Sequence, residues 1–294
     1  MFTRLAPLLF VLLWSSSIIA AKAGLRHLSP LLFVAIRLAG CAAVLVASML
    51  LLRRSWQPLG GGRWLHCAIA GALVNAVGLM APHVGLLMVP AAQIALVQSL
   101  TPLLTAAFGL LVLRERLLTS QWLGLTLGLA GASLVVGQAG LESTARFEGL
   151  LLAFVGVVSL VAGTVYFGRF CRGIPLLPGA TAQFLAAAIV AALGAWLLET
   201  PRAEFTPTAI AAIAWNTALV SLGGMGLYFA MLTRGTAART TANFYLVPGT
   251  AAVLAWVLLG EPLDPLATAG LLVASMGCWL VNAVPTPVKT RQVR

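Results

Sequence analysis

PLLTAAFGLLVLRERLLTSQWLGLTLGLAGASLVV, residues 102–136, and PGTAAVLAWVLLGEPLDPLATAGLLVASMGCWLV, residues 248–281, together decide the fold of this chain. Shifting the sequence by 146 positions lays one on the other: Pro102 meets Pro248, Glu115 meets Glu261, Leu117 meets Leu263, Gly124 meets Gly270, Gly131 meets Gly277, and Leu134-Val135 meet Leu280-Val281. No gap is needed. Self-similarity at so long a period marks a duplicated architecture and fixes the chain as two halves.

Outward from these segments the chain is apolar: 61% of residues are hydrophobic and 9% charged, against roughly 25% charged in a soluble domain. A spanning helix needs ~20 mostly apolar residues. Runs with few or no charges extend from Leu5 to Ala21, Leu28 to Leu52, Trp64 to Leu113, Leu117 to Leu141, Gly149 to Gly168, Gly173 to Leu198, Phe205 to Thr233, Thr240 to Gly260 and Pro265 to Val288. The Trp64 to Leu113 run is too long for one helix, and the Val89-Pro90 break divides it. The expectation is an all-α membrane protein of about ten transmembrane helices, with a first repeat over residues 1–140, a second over 147–285 and a cytoplasmic tail over 286–294. An odd number of spans per half makes the second half enter the membrane inverted. Arg4 and the small residues Ala20-Ala21-Lys22-Ala23 also fit a cleaved signal peptide, but the first span is needed to keep the halves equal.

The net charge of +11 would suggest a nucleic-acid partner in a soluble protein. Its distribution points elsewhere. With both termini cytoplasmic, Arg4, Arg53, Arg54, Arg63, Arg114, Arg116, Arg169, Arg172, Arg234, Arg239, Lys289, Arg291 and Arg294 fall inside. Only Lys22, Arg26, Arg146 and Arg202 fall outside, with most of the acids. This is positive-inside asymmetry of a bilayer partner, and it places the chain in a bacterial-type inner membrane with no nucleic acid bound. Cys41, Cys67, Cys171 and Cys278 lie in or beside spans without ligand spacing, so they read as buried small apolar residues, and no metal or other cofactor is expected.

The paired segments resemble the two EamA repeats of the drug/metabolite transporter superfamily, and within it the chain is most similar to the YddG type of amino-acid exporter. The resemblance implies a secondary transporter exporting amino acids, aromatic or other apolar ones, by alternating access, with Pro82, Pro102 and Pro248 as hinges. Inverted repeats place the substrate site near the midplane between the halves. Export of other amphiphilic metabolites or drugs is the second reading within the same architecture. An intramembrane enzyme fits poorly: the spans hold no aspartate dyad, no H-E-x-x-H and no G-x-S-x-G, so no catalytic residue is assigned. A monomer or weak homodimer is expected.

Several spans carry polar groups suited to a small-molecule site. Arg37 lies about 12 Å into the second span at 1.5 Å per residue, where a charge costs about 2.5–3.5 kcal/mol. Family resemblance puts an arginine at this point, and the offset sets Gln183 opposite. It reads equally as an anion-binding or gating residue and as a structural tie. His83 follows Pro82 in the third span, with Asn75 and Leu79 on its face at helical spacing; it suits substrate contact or proton handling, although a lone histidine is commonly a packing residue. Trp14 beside Ser15-Ser16-Ser17, Tyr166, Tyr228 and Tyr245 combine an apolar ring with a polar edge. An interfacial belt fits Trp56, Trp64 and Trp122 better. Gln98, Thr101 and Thr105 share a face of the fourth span, and Thr241 and Asn243 begin the ninth. The candidate substrate-binding set is therefore Trp14, Ser17, Arg37, Asn75, His83, Gln98, Tyr166, Tyr228, Asn243 and Tyr245. The spans hold no Asp or Glu, which disfavours a carboxylate relay and a cationic cargo. Gly124, Gly128, Gly131, Gly270, Ala274 and Gly277 form small-residue packing stripes.

Overall fold

The computed structural model describes residues 2–51, 60, 62–89, 91–113, 117–136, 147–259 and 265–283. Pro90, Glu115, Glu261, Trp56, the tail 286–294 and the basic residues Arg53, Arg54, Arg114, Arg116, Arg146, Lys289, Arg291 and Arg294 lie outside them. The described residues form helices, and the only extended pairing among them is a single bridge between Leu28 and Ala203. In order these are α1 (Phe2–Gly24), α2 (Pro30–Leu51), α3 (Arg63–Gly71), α4 (Gly78–Gly85), α5 (Ala91–Gln98), α6 (Thr101–Phe108), α7 (Thr119–Val136), α8 (Phe147–Phe170), α9 (Leu176–Leu198), α10 (Pro207–Trp215), α11 (Met225–Arg234), α12 (Ala237–Ala242), α13 (Val247–Leu259) and α14 (Pro265–Ala283).

Seven helical stretches are long and apolar enough to cross a membrane: Leu5–Gly24, Pro30–Leu51, Arg63–Gly85, Leu96–Leu113, Phe147–Phe170, Leu176–Leu198 and Pro207–Arg234. Thr268–Ala283 is a shorter apolar helix. Large apolar side chains cover the outside, Leu111, Trp196 and Leu198 being about three-quarters exposed. Water would penalise so extensive an apolar surface; lipid does not.

Equivalent helices pack on each other across the halves, α2 on α9 and α7 on α14. On α7 and α14 the glycines explain the approach. A Cβ at Gly124 would lie 2.7 Å from the Gly277 carbonyl oxygen, and one at Gly131 would lie 2.6 Å from that of Gly270. Gly124 is equivalent to Gly270 and Gly131 to Gly277, so the contact maps onto itself when the halves are exchanged, and the two helices run antiparallel. The small-residue stripes thus pack within one chain. Other contacts are exchanged in the same way: α8 packs on α3 and α4 as α1 packs on α10 and α11, and α8 on α6 as α1 on α13.

Two departures from regular helix recur at equivalent places. Wide π turns occupy Ala72–Val77, between α3 and α4, and Asn216–Gly224, between α10 and α11, where the sequences Ala72-Leu73-Val74-Asn75 and Ala218-Leu219-Val220-Ser221 correspond at the offset. Such turns insert a residue and rotate the face that follows. The chain breaks helix at Ser99-Leu100, between α5 and α6, and the equivalent stretch passes through a 3-10 turn, Asn243–Leu246, between α12 and α13. Pro102 and Pro248 follow these breaks within the first residues of α6 and α13. Each proline lacks the N–H that would bond back one turn, so the chain restarts a helix there instead of continuing one. Each of these stretches is therefore a pair of half-helices.

At the start of α2 the other half supplies the cap. Glu199, just past α9, accepts from the backbone N–H groups of Leu31 (3.1 Å) and Leu32 (2.6 Å) and from the Ser29 hydroxyl (2.8 Å). Neighbouring backbone bonds join Ser29 to Arg202 and Glu204 to His27, and the Arg202 guanidinium donates to the Arg26 carbonyl. A carboxylate there satisfies orphan donors and complements the helix dipole. Glu199→Ala is expected to cost about 1–3 kcal/mol, read as a lower midpoint of thermal unfolding in detergent, while Glu199→Gln keeps part of the loss; equal midpoints for all three proteins would refute the cap.

Candidate functional site

Trp14 and Ser17 of α1 face a small internal chamber. Its larger part, about 40 Å³, is lined by Trp14, Ser17 and Ile18 of α1, Leu79, Pro82 and His83 of α4, and Gln98 at the end of α5, among others. An adjoining space of about 10 Å³ is bounded by Trp14, Leu79, Gln98, Thr101, Gly156 and Phe244. Gln98 and Thr101 flank the break between α5 and α6, and Phe244 lies in the turn between α12 and α13. Phe244 is also the offset partner of Gln98. Both broken helices thus reach one chamber, which is room for only a few waters in this conformation.

Aromatic rings form one wall. Trp14 meets Phe244 edge-on at 5.2 Å and Phe10 at 5.5 Å, and Phe10 stacks on Tyr228 at 5.7 Å. Tyr228 is fully buried, and its hydroxyl pairs with that of Thr164 at 2.6 Å. On the polar side, Ser17 donates to the Asn216 side-chain oxygen at 2.6 Å. Pro82 packs close against Gly156 of α8. The His83 ring stacks on Phe33 at 6.0 Å, with Nδ1 2.7 Å from the Leu79 carbonyl oxygen.

The remaining candidates lie away from the chamber lining. Arg37 is buried and donates from Nε to the Ser221 hydroxyl at 2.6 Å. The offset that pairs Arg37 with Gln183 also pairs Ser221 with Asn75, so the mirrored counterpart of the Arg37–Ser221 contact is the pair Gln183 and Asn75. Gln183 donates to the Gly179 carbonyl at 3.3 Å, and the Asn75 side chain is fully buried. Asn75 lies in the π turn, and the altered register separates it from the face shared by Leu79 and His83. Asn243 caps back onto the Thr240 carbonyl at 2.9 Å, and Tyr245 is fully buried against Gly128 of α7. Tyr166 is half-buried; its hydroxyl meets His66 Nδ1 at 2.7 Å, and the His66 ring stacks on Phe170 at 4.8 Å. All four cysteines are buried and free.

Sequence reasoning missed Phe10, Phe33, Phe244, Asn216, Ser221 and His66. The offset partner of Gln98 pointed to Phe244. The offset likewise pairs Ser221 with Asn75, but nothing marked the others, because phenylalanines and small polar residues in spans are commonplace.

Comparison with known proteins adds the relationship. The model of the EamA-like transporter family matches residues 2–137 and again 147–283. The chain is 28% identical to an uncharacterized transporter, YvbV, of Bacillus subtilis, over 95% of this chain and 92% of that one. It is 27% identical to an uncharacterized inner membrane transporter, YedA, of Escherichia coli, over 90% and 86%. A probable amino-acid metabolite efflux pump of Salmonella typhimurium is 25% identical, over 93% and 92%.

Proposed function

The chain belongs to the EamA-like transporter family, and from that premise we propose that this multi-pass membrane protein exports amino acids, aromatic or other apolar ones, by alternating access. The observation that carries the reading is the meeting of two equivalent broken helices, the fourth and ninth spans, at one chamber walled by Trp14, His83, Gln98 and Phe244. Discontinuous helices at a repeat interface free backbone groups for a ligand where a continuous helix would offer none. The kinship with a relative named an amino-acid metabolite efflux pump supports the cargo class.

In this reading ten spans form two inverted repeats, residues 1–140 and 147–285, in the inner membrane with both termini and the tail 286–294 cytoplasmic. Trp14, Ser17, His83 and Gln98 touch cargo, and Tyr228 backs the aromatic wall. Arg37, Asn75, Tyr166, Asn243 and Tyr245 lie along the path that opens as the halves rock, with Pro82, Pro102 and Pro248 at the points of bending. A chamber of about 40 Å³ must widen severalfold to admit an amino acid, so a resting and a loaded state differ in shape.

Proteoliposomes holding the purified protein are expected to release preloaded radiolabelled tryptophan or phenylalanine faster than empty liposomes. No excess flux for any amino acid would reject the proposal. Inhibition by lipophilic cations stronger than by amino acids would favour a drug or metabolite carrier instead.

A further inference from the structure

Behind the His83 side of the chamber, outside its present lining, a buried cation offers a more specific chemistry, whose reading rests on the chamber being the cargo site. Arg37 is 1% exposed, and beyond the Nε bond to Ser221 its Nη1 and Nη2 are buried without a partner. The described acids are Glu148, Glu199 and Glu204, and none is bonded to it: Glu148 is exposed at the start of α8, Glu199 caps α2, and Glu204 meets His27. A buried cation with open N–H groups is costly to keep, and the two terminal nitrogens of a guanidinium form a fork that matches the two oxygens of a carboxylate.

His83 is complementary. Its Nδ1 faces a carbonyl oxygen, which only accepts, so Nδ1 carries the hydrogen and Nε2 of the neutral ring holds a lone pair. That Nε2 is buried and without a partner, on a residue that lines the chamber. The two groups are neighbours: Phe33, whose ring stacks on His83, lies one helical turn before Arg37 on the same face of α2.

The geometry points to a head-group subsite for a zwitterionic α-amino acid, in which Arg37 pairs with the carboxylate, His83 Nε2 accepts a hydrogen from the ammonium, and the cargo side chain lies against Trp14 and Phe244. The ligand itself then supplies the negative charge that the spans lack. A zwitterion is also net neutral, so its passage leaves no charge behind in the hydrocarbon.

The test uses the full-length protein in detergent, with ligand affinity read from thermal stabilisation by L-tryptophan, L-tryptophanamide, indole-3-propionate and sodium chloride. Tryptophan is expected to bind at least about tenfold more tightly than its amide, with indole-3-propionate between them. Arg37→Gln brings tryptophan and its amide within about twofold of each other, Arg37→Lys restores part of the difference, and His83→Phe removes the advantage of tryptophan over indole-3-propionate. Should the variants not fold, the wild-type series decides alone. Equal stabilisation by tryptophan and its amide overturns the subsite, as does stabilisation by chloride matching that by tryptophan, which would make it an inorganic-anion site. This binding pattern without liposome flux would sink the export reading and leave the subsite standing; flux without carboxylate preference would do the reverse.

Discussion

Gly131→Val is expected to abolish a stable fold, whereas Ala130→Val, one residue away on an exposed face of α7, leaves stability within about 0.5 kcal/mol. The reason is what a side chain at Gly131 would strike. Its Cβ alone would sit against the backbone nitrogen of Ala274 and 2.6 Å from the carbonyl oxygen of Gly270, and backbone atoms of a packed helix cannot swing aside as a side-chain tip can. Ordinary overpacking costs about 1–3 kcal/mol; here two helix axes must separate along the α7–α14 contact, so the loss is expected to be at or above about 3 kcal/mol. Gly71→Val should behave alike, since its Cβ would collide with the Gln183 backbone of α9. Monodisperse yield on size exclusion and the thermal midpoint measure both. A Gly131→Val protein melting within a few degrees of wild type would show that the close approach is not required.

Arg37→Met is expected to move stability and transport in opposite directions. Methionine is shorter but fills most of the site with an unbranched apolar chain and no charge, and replacing buried charge by apolar volume is often stabilising by about 1–4 kcal/mol. The loss is small on the other side, because a single bond to Ser221 is broken. Amino-acid flux, by contrast, is expected to fall at least about thirtyfold, the equivalent of roughly 2 kcal/mol for a desolvated charge pair. If Arg37 merely ties helices together, the melting midpoint falls along with the flux, and that joint decrease is the result that would sink the functional assignment.

Much of the architecture was legible in the sequence because lipid imposes simple rules. The 146-residue offset marked the two halves and paired Pro102 with Pro248, and the charge-free runs anticipated the seven long apolar helices, whereas whether the glycine stripes pack within or between protomers was left open. The site was only partly legible. Trp14, Ser17, His83 and Gln98 were drawn from different spans and meet at one chamber, yet Asn75 was grouped with His83 by a regular 3.6-residue period that the turn at Ala72–Val77 breaks. A π turn has no composition of its own, so periodicity cannot announce it. Tyr166 was read as a cavity residue because it joins an apolar ring to a polar edge, while its partners, His66 and Phe170, lie at the start of α3 and the end of α8. The cap on α2 was hidden for another reason: 168 residues separate Leu31 from Glu199, and nothing local to either names the other.

That cap sits within a group of bonds that join the loop before α2 to the loop after α9. Glu199 holds three part-buried donors, and the solvent-facing bonds of Arg202 and Glu204 tie the same two loops together. Separation of the two loops should behave like a zipper with one pull-tab: closed or undone, with few stable stages between. Thermal unfolding should therefore lose both loops in one step.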